Sequence, residues 1–289
     1  MTATYASDGS AFSGGTIYGN LYPTPDSLAY DINSNFTVSN GATYGITDVF
    51  ISKYSADGTT MLWTTFLGGG DNTQGTETVH SLIADANDNL FCYGATSSID
   101  FPIQSGYQSL HNGGVAGTNF FQNGVYFTGQ GTDIYVAKLS PDGNSLLAST
   151  FIGGTANDGV NYNPASLPYS NLVAYTGLTA NYGDQFRGEV MLDSVGNCII
   201  ASCTYSVDFP MQNAFQNTNG GNQDGVIFKF NSSLSSLLWS SYYGGSSNDA
   251  CYSVKLDSAQ NVVFAGGTIS TNLPNTTGWQ STYNGGSAD

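Results

Sequence analysis

Alternation of apolar and polar residues, the pattern of half-buried strands, runs through most of the 289-residue chain. Short alternating stretches such as 48–54 and 133–139 are separated by polar turns rich in Gly, Asp and Asn. No long stretch places apolar residues at the 3.6-residue spacing of a helix. The pattern therefore predicts an all-β fold of short antiparallel strands joined by tight turns.

A block of two predicted strands occurs three times. It reads DVFISKYSADGTTMLWTTFLGG at 48–69, DIYVAKLSPDGNSLLASTFIGG at 133–154 and DGVIFKFNSSLSSLLWSSYYGG at 224–245. Each copy is an alternating strand, a polar turn and a second strand that ends in paired glycines. The residue-by-residue register of the copies indicates an internal structural repeat.

A second block of strand, tight turn and strand alternates with the first, at 79–96, 189–204 and 251–268, with a shortened first copy at 2–16. One unit therefore contains four consecutive antiparallel strands, which is the content of a β-propeller blade. We expect a single partial propeller of three complete blades and half of another, with Asp289 opening the next strand pair. The predicted blades are approximately 1–69, 79–154, 188–245 and 250–289.

A third repeated element follows the second block. It consists of Asp-Phe-Pro, or a looser form of it, and then an aromatic residue followed by Gln. These pieces lie at 100–102 with 107–108, at 208–210 with 215–216, and at 272–274 with 279–280. Together with the blocks, they resemble the SBBP repeat of large secreted or cell-surface bacterial proteins, many of them from Bacteroidetes. The resemblance implies a propeller, an extracellular or cell-surface location, and no common catalytic activity.

The strand order predicts two different faces. The turns within each strand pair are predicted on one face, and the longer connections on the other. The longer connections include the insertions at 17–47, 97–132 and 155–187. Rigid aromatic side chains among adaptable amides suit contact with protein or glycan. The candidate residues of this loop-rich face are Phe120, Phe121, Tyr126, Tyr162, Tyr169, Tyr175, Tyr182 and Trp279. The alternative is that these rings pack down to order their own loops.

Net charge excludes several classes of partner. The formal charge is −16, and the chain has only five basic residues, so it is not expected to bind nucleic acid or to dock on an anionic membrane. Three of the five, Lys53, Lys138 and Lys229, occupy one repeat position, and we expect each to pair with a repeated Asp or to extend towards solvent.

Repeated acids are the main candidate chemistry. Asp71, Asp158 and Asp249 follow the paired glycines, and Asp48, Asp133 and Asp224 open the next strand pair, so both sets are predicted near the loop-rich face. Carboxylate oxygens suit calcium there, and turn or strand-start hydrogen bonds explain the same acids without a metal. We expect no other cofactor. The four cysteines have no metal-ligand spacing and are predicted to pack between sheets as small apolar residues, with a disulfide between neighbouring strands as the alternative.

The sequence predicts a non-catalytic extracellular or cell-surface module that binds protein or glycan through its loop-rich face. One alternative is a structural spacer in a giant surface protein or filament, and another is a carbohydrate-active enzyme that uses acids on that face. His80 and His111 are expected to be structural, because the spacing of residues suggests no nucleophile for either to activate. Closing the predicted ring would require further blades, from the same polypeptide or from a partner.

Overall fold

The computed structural model describes residues 1–17, 47–69, 75–114, 131–161, 178 and 184–289 without 275 and 276. It also describes the backbone of 120–122 and 125–127. Within these residues, no helix is long and apolar enough to cross a membrane.

Three antiparallel sheets each contain four strands, which follow one another across the sheet in chain order. The strands of the first sheet are β1 (Thr2–Tyr5), β2 (Ala11–Ile17), β3 (Asp48–Tyr54) and β4 (Met61–Leu67). Those of the second sheet are β5 (Glu77–Ala84), β6 (Leu90–Thr96), β9 (Asp133–Leu139) and β10 (Leu146–Ile152). Those of the third sheet are β11 (Glu189–Leu192), β12 (Cys198–Thr204), β13 (Asp224–Phe230) and β14 (Leu237–Tyr243).

The remaining elements are short. Strands β15 (Asp249–Leu256) and β16 (Val262–Thr268) form a two-stranded sheet, called the terminal hairpin below. Strands β7 (Phe120–Gln122) and β8 (Val125–Phe127) form a small hairpin between β6 and β9, and a single 3-10 turn covers Asp184–Phe186. The all-β class and the four-strand units predicted from the sequence are confirmed.

Consecutive sheets pack face to face, and alternate residues of a strand serve opposite cores. On β6, the Cys92 side chain lies in the core shared with the first sheet, and the Tyr93 side chain lies in the core shared with the third. On β13, Phe228 faces the second sheet and Ile227 faces the terminal hairpin. The inner sheets therefore bury both faces, which explains why their strands are rich in β-branched and aromatic residues.

The hairpin turns lie together at one end of the sheets, called the turn end. Each turn that joins the first two strands of a unit is closed by an acid, as at Asp85, whose Oδ1 accepts hydrogen bonds from the amides of Asn87 and Asn89, both at 2.9 Å. Turns of neighbouring units also contact each other, since the Ser7 amide donates to Asp88 Oδ1 at 2.6 Å. The opposite end of the sheets is called the loop end.

Two of the three repeated lysines pair with a repeated Asp, as predicted. Lys138 Nζ lies 3.1 Å from Asp85 Oδ2, and Lys229 Nζ lies 2.7 Å from Asp193 Oδ2, so each links the third strand of a sheet to the turn between the first two. Lys53 Nζ instead lies 5.0 Å from the centre of the Phe12 ring, a cation–π contact. These three cations stabilise the framework.

All four cysteines are buried free thiols that pack between sheets. Burial raises the pKa of Cys92 to about 12, so this thiol is held in its unreactive form.

Two segments, which follow the second strands of the second and third sheets, cover the outer edges of those sheets. The Ser149 amide donates to the Gln104 carbonyl at 2.9 Å, and the Phe151 amide donates to the Gln108 carbonyl at 3.1 Å, so residues 101–108 run along β10. Residues 209–216 cover β14 in the same way. The first part of the insertion 97–132 therefore shields an edge strand that would otherwise expose its amides.

The insertion at 155–187 also begins differently from the prediction. Asp158 forms an antiparallel bridge with Thr204, and Glu189 pairs with Ala201 further along β12. In the terminal hairpin, Asp249 pairs with Thr268 and Ser253 pairs with Ala265 in the same register. The pairing of the first strand in the third sheet thus starts at Asp158, before most of the insertion.

Candidate functional site: buried carboxylate pairs at the loop end

Two acids meet at the loop end of the framework in three equivalent places. Each pair joins the first residue of a third strand to the acid that begins the next unit. The pairs are Asp48 with Glu77, Asp133 with Asp158, and Asp224 with Asp249. All six residues are buried.

The backbone fixes the equivalence of the three pairs. In each, the amide of the second acid donates to the carbonyl of the residue before the first acid. The distances are 2.8 Å from Glu77 to Thr47, 2.7 Å from Asp158 to Thr132, and 2.8 Å from Asp249 to Gln223.

The second acid of each pair is held by hydroxyl and glycine amide donors. Asp158 accepts hydrogen bonds from the Thr204 hydroxyl, from Ser206 Oγ at 2.9 Å and from the Gly154 amide at 2.8 Å. Asp249 and Glu77 have corresponding donors. For Asp249 these are Ser270 Oγ and the Gly245 amide, both at 2.7 Å, and for Glu77 they are Thr96 Oγ1 at 2.6 Å and the Gly69 amide at 3.4 Å.

The first acid is held by the element that follows the second strand. Asp133 Oδ2 accepts from the Asn112 amide at 2.8 Å and from Gln108 Nε2 at 3.2 Å. Asp224 Oδ2 accepts from the Gly220 amide at 2.9 Å and from Gln216 Nε2 at 3.1 Å. The repeated aromatic-Gln pair therefore has a structural role, because its Gln ties the edge cover to the carboxylate pair.

The first of each pair of glycines leaves room for the carboxylates. A Cβ atom on Gly153 would collide with Asp133 Oδ1 and would lie 2.8 Å from Asp158 Oδ2. Gly68 and Gly244 have the same relation to their own first acids. Any side chain at these positions would have to displace a buried carboxylate.

Burial and the charges of neighbouring acids raise the pKa values of four of these residues, Glu77, Asp133, Asp158 and Asp224. Burial, reinforced by the charge of Asp48, raises the pKa of Glu77 to about 8. Burial raises the pKa of Asp133 to about 7 and that of Asp224 to about 6. For Asp158, burial and the neighbouring Asp133 charge raise the pKa well above its ordinary value. The pairs Asp48 with Glu77 and Asp133 with Asp158 can therefore retain a proton near neutral pH.

Some carboxylate oxygens of the pairs are already used in hydrogen bonds to protein groups. Asp158 uses both carboxylate oxygens in hydrogen bonds to protein groups. In the described part of the chain, no group of three or more acidic, His or Cys side chains is placed to hold a metal. Calcium takes six to eight oxygen ligands.

The three acids proposed as calcium ligands differ in where the structure places them. Asp158 and Asp249 belong to the pairs, whereas Asp71 lies outside the described residues. The position corresponding to Asp158 and Asp249 is occupied in the second sheet by Glu77, which the sequence analysis missed. Glu77 could have been recognised because it opens its strand as Asp249 does, although it follows the paired glycines at a longer spacing.

Four of the eight aromatic candidates lie outside the described residues, namely Tyr162, Tyr169, Tyr175 and Tyr182. Phe120 and Phe121 lie on β7, and Tyr126 lies on β8, in the hairpin inserted at the loop end. Trp279 is 100% exposed. Within the described connections of the loop end, Ile99, Leu110 and Val207 are also exposed.

The two histidines pack against aromatic rings. The His80 ring lies 5.1 Å from that of Tyr93, and burial lowers the pKa of His80 to about 3. The His111 ring lies 5.5 Å from that of Phe151, and one of its nitrogens lies 3.2 Å from the Thr96 carbonyl. Both environments agree with the expected structural role.

No protein-family model matches the chain, and no curated protein matches it.

Proposed function

We propose that this chain is part of a β-propeller that acts as a non-catalytic binding module of the extracellular space or the cell surface. Its loop end contacts a protein or a glycan, and its turn end is inert framework. The buried carboxylate pairs serve to fix the loop end.

The difference between the two ends of the sheets carries this proposal. At the turn end, every connection is a tight turn closed by its own hydrogen bonds, as at 55–60 and 140–145. All longer connections leave from the loop end, including the segment that carries the β7–β8 hairpin. Binding residues are commonly found on loops that a rigid scaffold positions.

The packing of the sheets supports a propeller. The first strands β1, β5, β11 and β15 contact one another in series, and each sheet packs on the next. Radial blades place their first strands around a common axis in this way.

The threefold repetition of the carboxylate pairs favours a structural role over catalysis. A glycosidase uses one pair of carboxyl groups that reach the substrate. Here three equivalent pairs are buried, and each is hydrogen-bonded to hydroxyl, amide or glycine groups of its own framework. Burial and these hydrogen bonds suit acids that hold the framework together.

A glycan array and a protein pull-down test the proposal. We expect binding that falls at least tenfold on Phe121→Ala or Tyr126→Ala in the β7–β8 hairpin. Val195→Ser is the matched control, because Val195 is 73% exposed at the turn end. Loss of binding in the control and not in the hairpin variants would contradict the proposal.

Two further outcomes identify the alternatives. Absence of any ligand, with the fold intact, would indicate a structural spacer. Hydrolysis of a glycan that a single Asp→Asn change at the loop end abolishes would indicate a carbohydrate-active enzyme.

A further inference from the structure

We propose that Asn219 and Gly220 form a self-modification site, at which the Gly220 amide nitrogen attacks the Asn219 side-chain amide and Asp224 acts as the general base. The product is a cyclic imide, which water opens to aspartate or isoaspartate. This inference is independent of the loop-end proposal, because it rests on hydrogen bonds within residues 216–224 of the third sheet.

The nucleophile and the base are already in contact. The Gly220 N–H donates to Asp224 Oδ2 at 2.9 Å. Asp224 is buried, whereas Gly220 is exposed, so water can reach the imide once it has formed. A carboxylate within hydrogen-bond distance of the proton that it removes meets the geometric requirement for general-base catalysis.

The surroundings of Asp224 make it a stronger base than an ordinary carboxylate. Burial, reinforced by the charge of Asp249, raises the pKa of Asp224 to about 6. Hydrogen bonds from Gly220, Gly221 and Gln216 oppose this rise. Asp224 is therefore mostly ionised above about pH 7, and it still accepts a proton more readily than an exposed Asp does.

The side-chain amide of Asn219 is held in a form that favours attack. Its Oδ1 accepts a hydrogen bond from the Gly221 amide at 3.0 Å. Negative charge develops on this oxygen during the attack, and a fixed amide donor stabilises that charge. The leaving nitrogen, Nδ2, is buried and has no hydrogen-bond partner in the described part of the chain. Its departure therefore breaks no hydrogen bond of the described framework.

The chemical step needs only water besides the chain itself. A bond forms between the Gly220 nitrogen and Asn219 Cγ, and the Gly220 proton moves to Asp224 Oδ2. The bond between Cγ and Nδ2 then breaks, and Nδ2 takes up a proton and leaves as ammonia, which restores the ionised Asp224. Water adds to either carbonyl of the imide, so the ring opens to aspartate or to isoaspartate.

The same dipeptide in the second sheet, Asn112–Gly113, is an internal control. Its glycine amide also bonds a buried acid, Asp133. However, Asn112 Nδ2 donates to the Gly153 carbonyl at 3.3 Å, so the leaving nitrogen is tied to the framework. The Gly114 amide, which has the place of the oxyanion donor, donates instead to the Ala156 carbonyl at 3.3 Å. We therefore expect Asn112 to be much less reactive than Asn219.

Mass spectrometry of the full chain measures the two sites together. The natural chain is incubated at about pH 7.5, folded or unfolded in urea, and each conversion is assigned to a single residue by fragmentation. In the folded chain, Asn219 should convert at least about tenfold faster than Asn112 and faster than it does in urea. In urea, the two rates should agree within about threefold, because the sequence Asn-Gly is the same at both sites.

Asp224→Asn tests the general base. This variant should slow the conversion of folded Asn219 about tenfold or more and leave its rate in urea unchanged. Asp133→Asn is the matched variant at the internal control site, and it should not change the rate at Asn219. Circular dichroism shows whether each variant is folded.

The natural chain alone can overturn the proposal. If Asn219 converts no faster in the folded chain than in urea, the fold does not promote the reaction, whatever the variants show. An unchanged rate in folded Asp224→Asn would likewise exclude Asp224 as the base.

Discussion

The carboxylate pairs make the stability of this protein fall as the pH rises, and one substitution removes the contribution of one pair member. Asp133→Asn is the informative change, because the amide oxygen can replace Oδ2, which accepts from Asn112 and Gln108. The amide nitrogen then takes the place of Oδ1, which has no donor in the described structure, and faces Asp158. The variant removes a buried charge and adds a donor without changing shape.

The size of the effect follows from the raised pKa of Asp133, about 7 against an ordinary 3.8. The folded chain holds this proton more tightly than the unfolded chain, so the stabilisation is complete below about pH 4 and is lost as the pH rises through 7. Each pKa unit corresponds to about 1.4 kcal/mol. Between pH 5.5 and pH 9, the natural chain should therefore lose about 2 kcal/mol through Asp133 alone.

Urea unfolding at a series of pH values measures this loss. We expect Asp133→Asn to become more stable relative to the natural chain by about 2 kcal/mol between pH 5.5 and pH 9. Asp257→Asn removes the same charge from an exposed turn and should show no such gain. Parallel pH profiles for the natural chain and Asp133→Asn would refute the assignment of a raised pKa to this pair.

Three further predictions concern the framework. Gly153→Ala should lower the free energy of unfolding by about 1–3 kcal/mol, because its Cβ would displace Asp133, whereas Gly278→Ala, with nothing within 4 Å of the new Cβ, should be neutral in the same urea assay. The four buried cysteines should react with a thiol reagent only on unfolding, and fast labelling of the native chain would contradict their placement between sheets. Added calcium at millimolar concentration should change the melting temperature at pH 6 by less than about one degree, because the paired acids hold a proton; a large rise that EDTA reverses would instead support the calcium site considered from the sequence.

The strand units were predictable because the repeat determines them locally. A tight Asp or Gly turn fixes each hairpin, and the alternation of apolar residues fixes which face packs on the next sheet. The structural role of Lys138 and Lys229 was also predictable, because one residue type at one repeat position implies one repeated partner.

The carboxylate pairs were only half visible in the sequence. Asp133 and Asp158 were both noticed, but their meeting depends on the packing of one sheet on the next, which no local pattern encodes. Glu77 was missed because a longer connection separates it from its paired glycines. The edge covers were not predicted from the sequence because their contacts with β10 and β14 use few strand-like residues and many side-chain hydrogen bonds.

Hydrogen–deuterium exchange with and without the ligand selected by the glycan array or pull-down tests the central claim most directly. Binding at the loop end predicts added protection in 97–114 and in the β7–β8 hairpin, with the turns at 55–60 and 140–145 unchanged. Protection concentrated in those turns, with the loop end unaffected, would contradict the account.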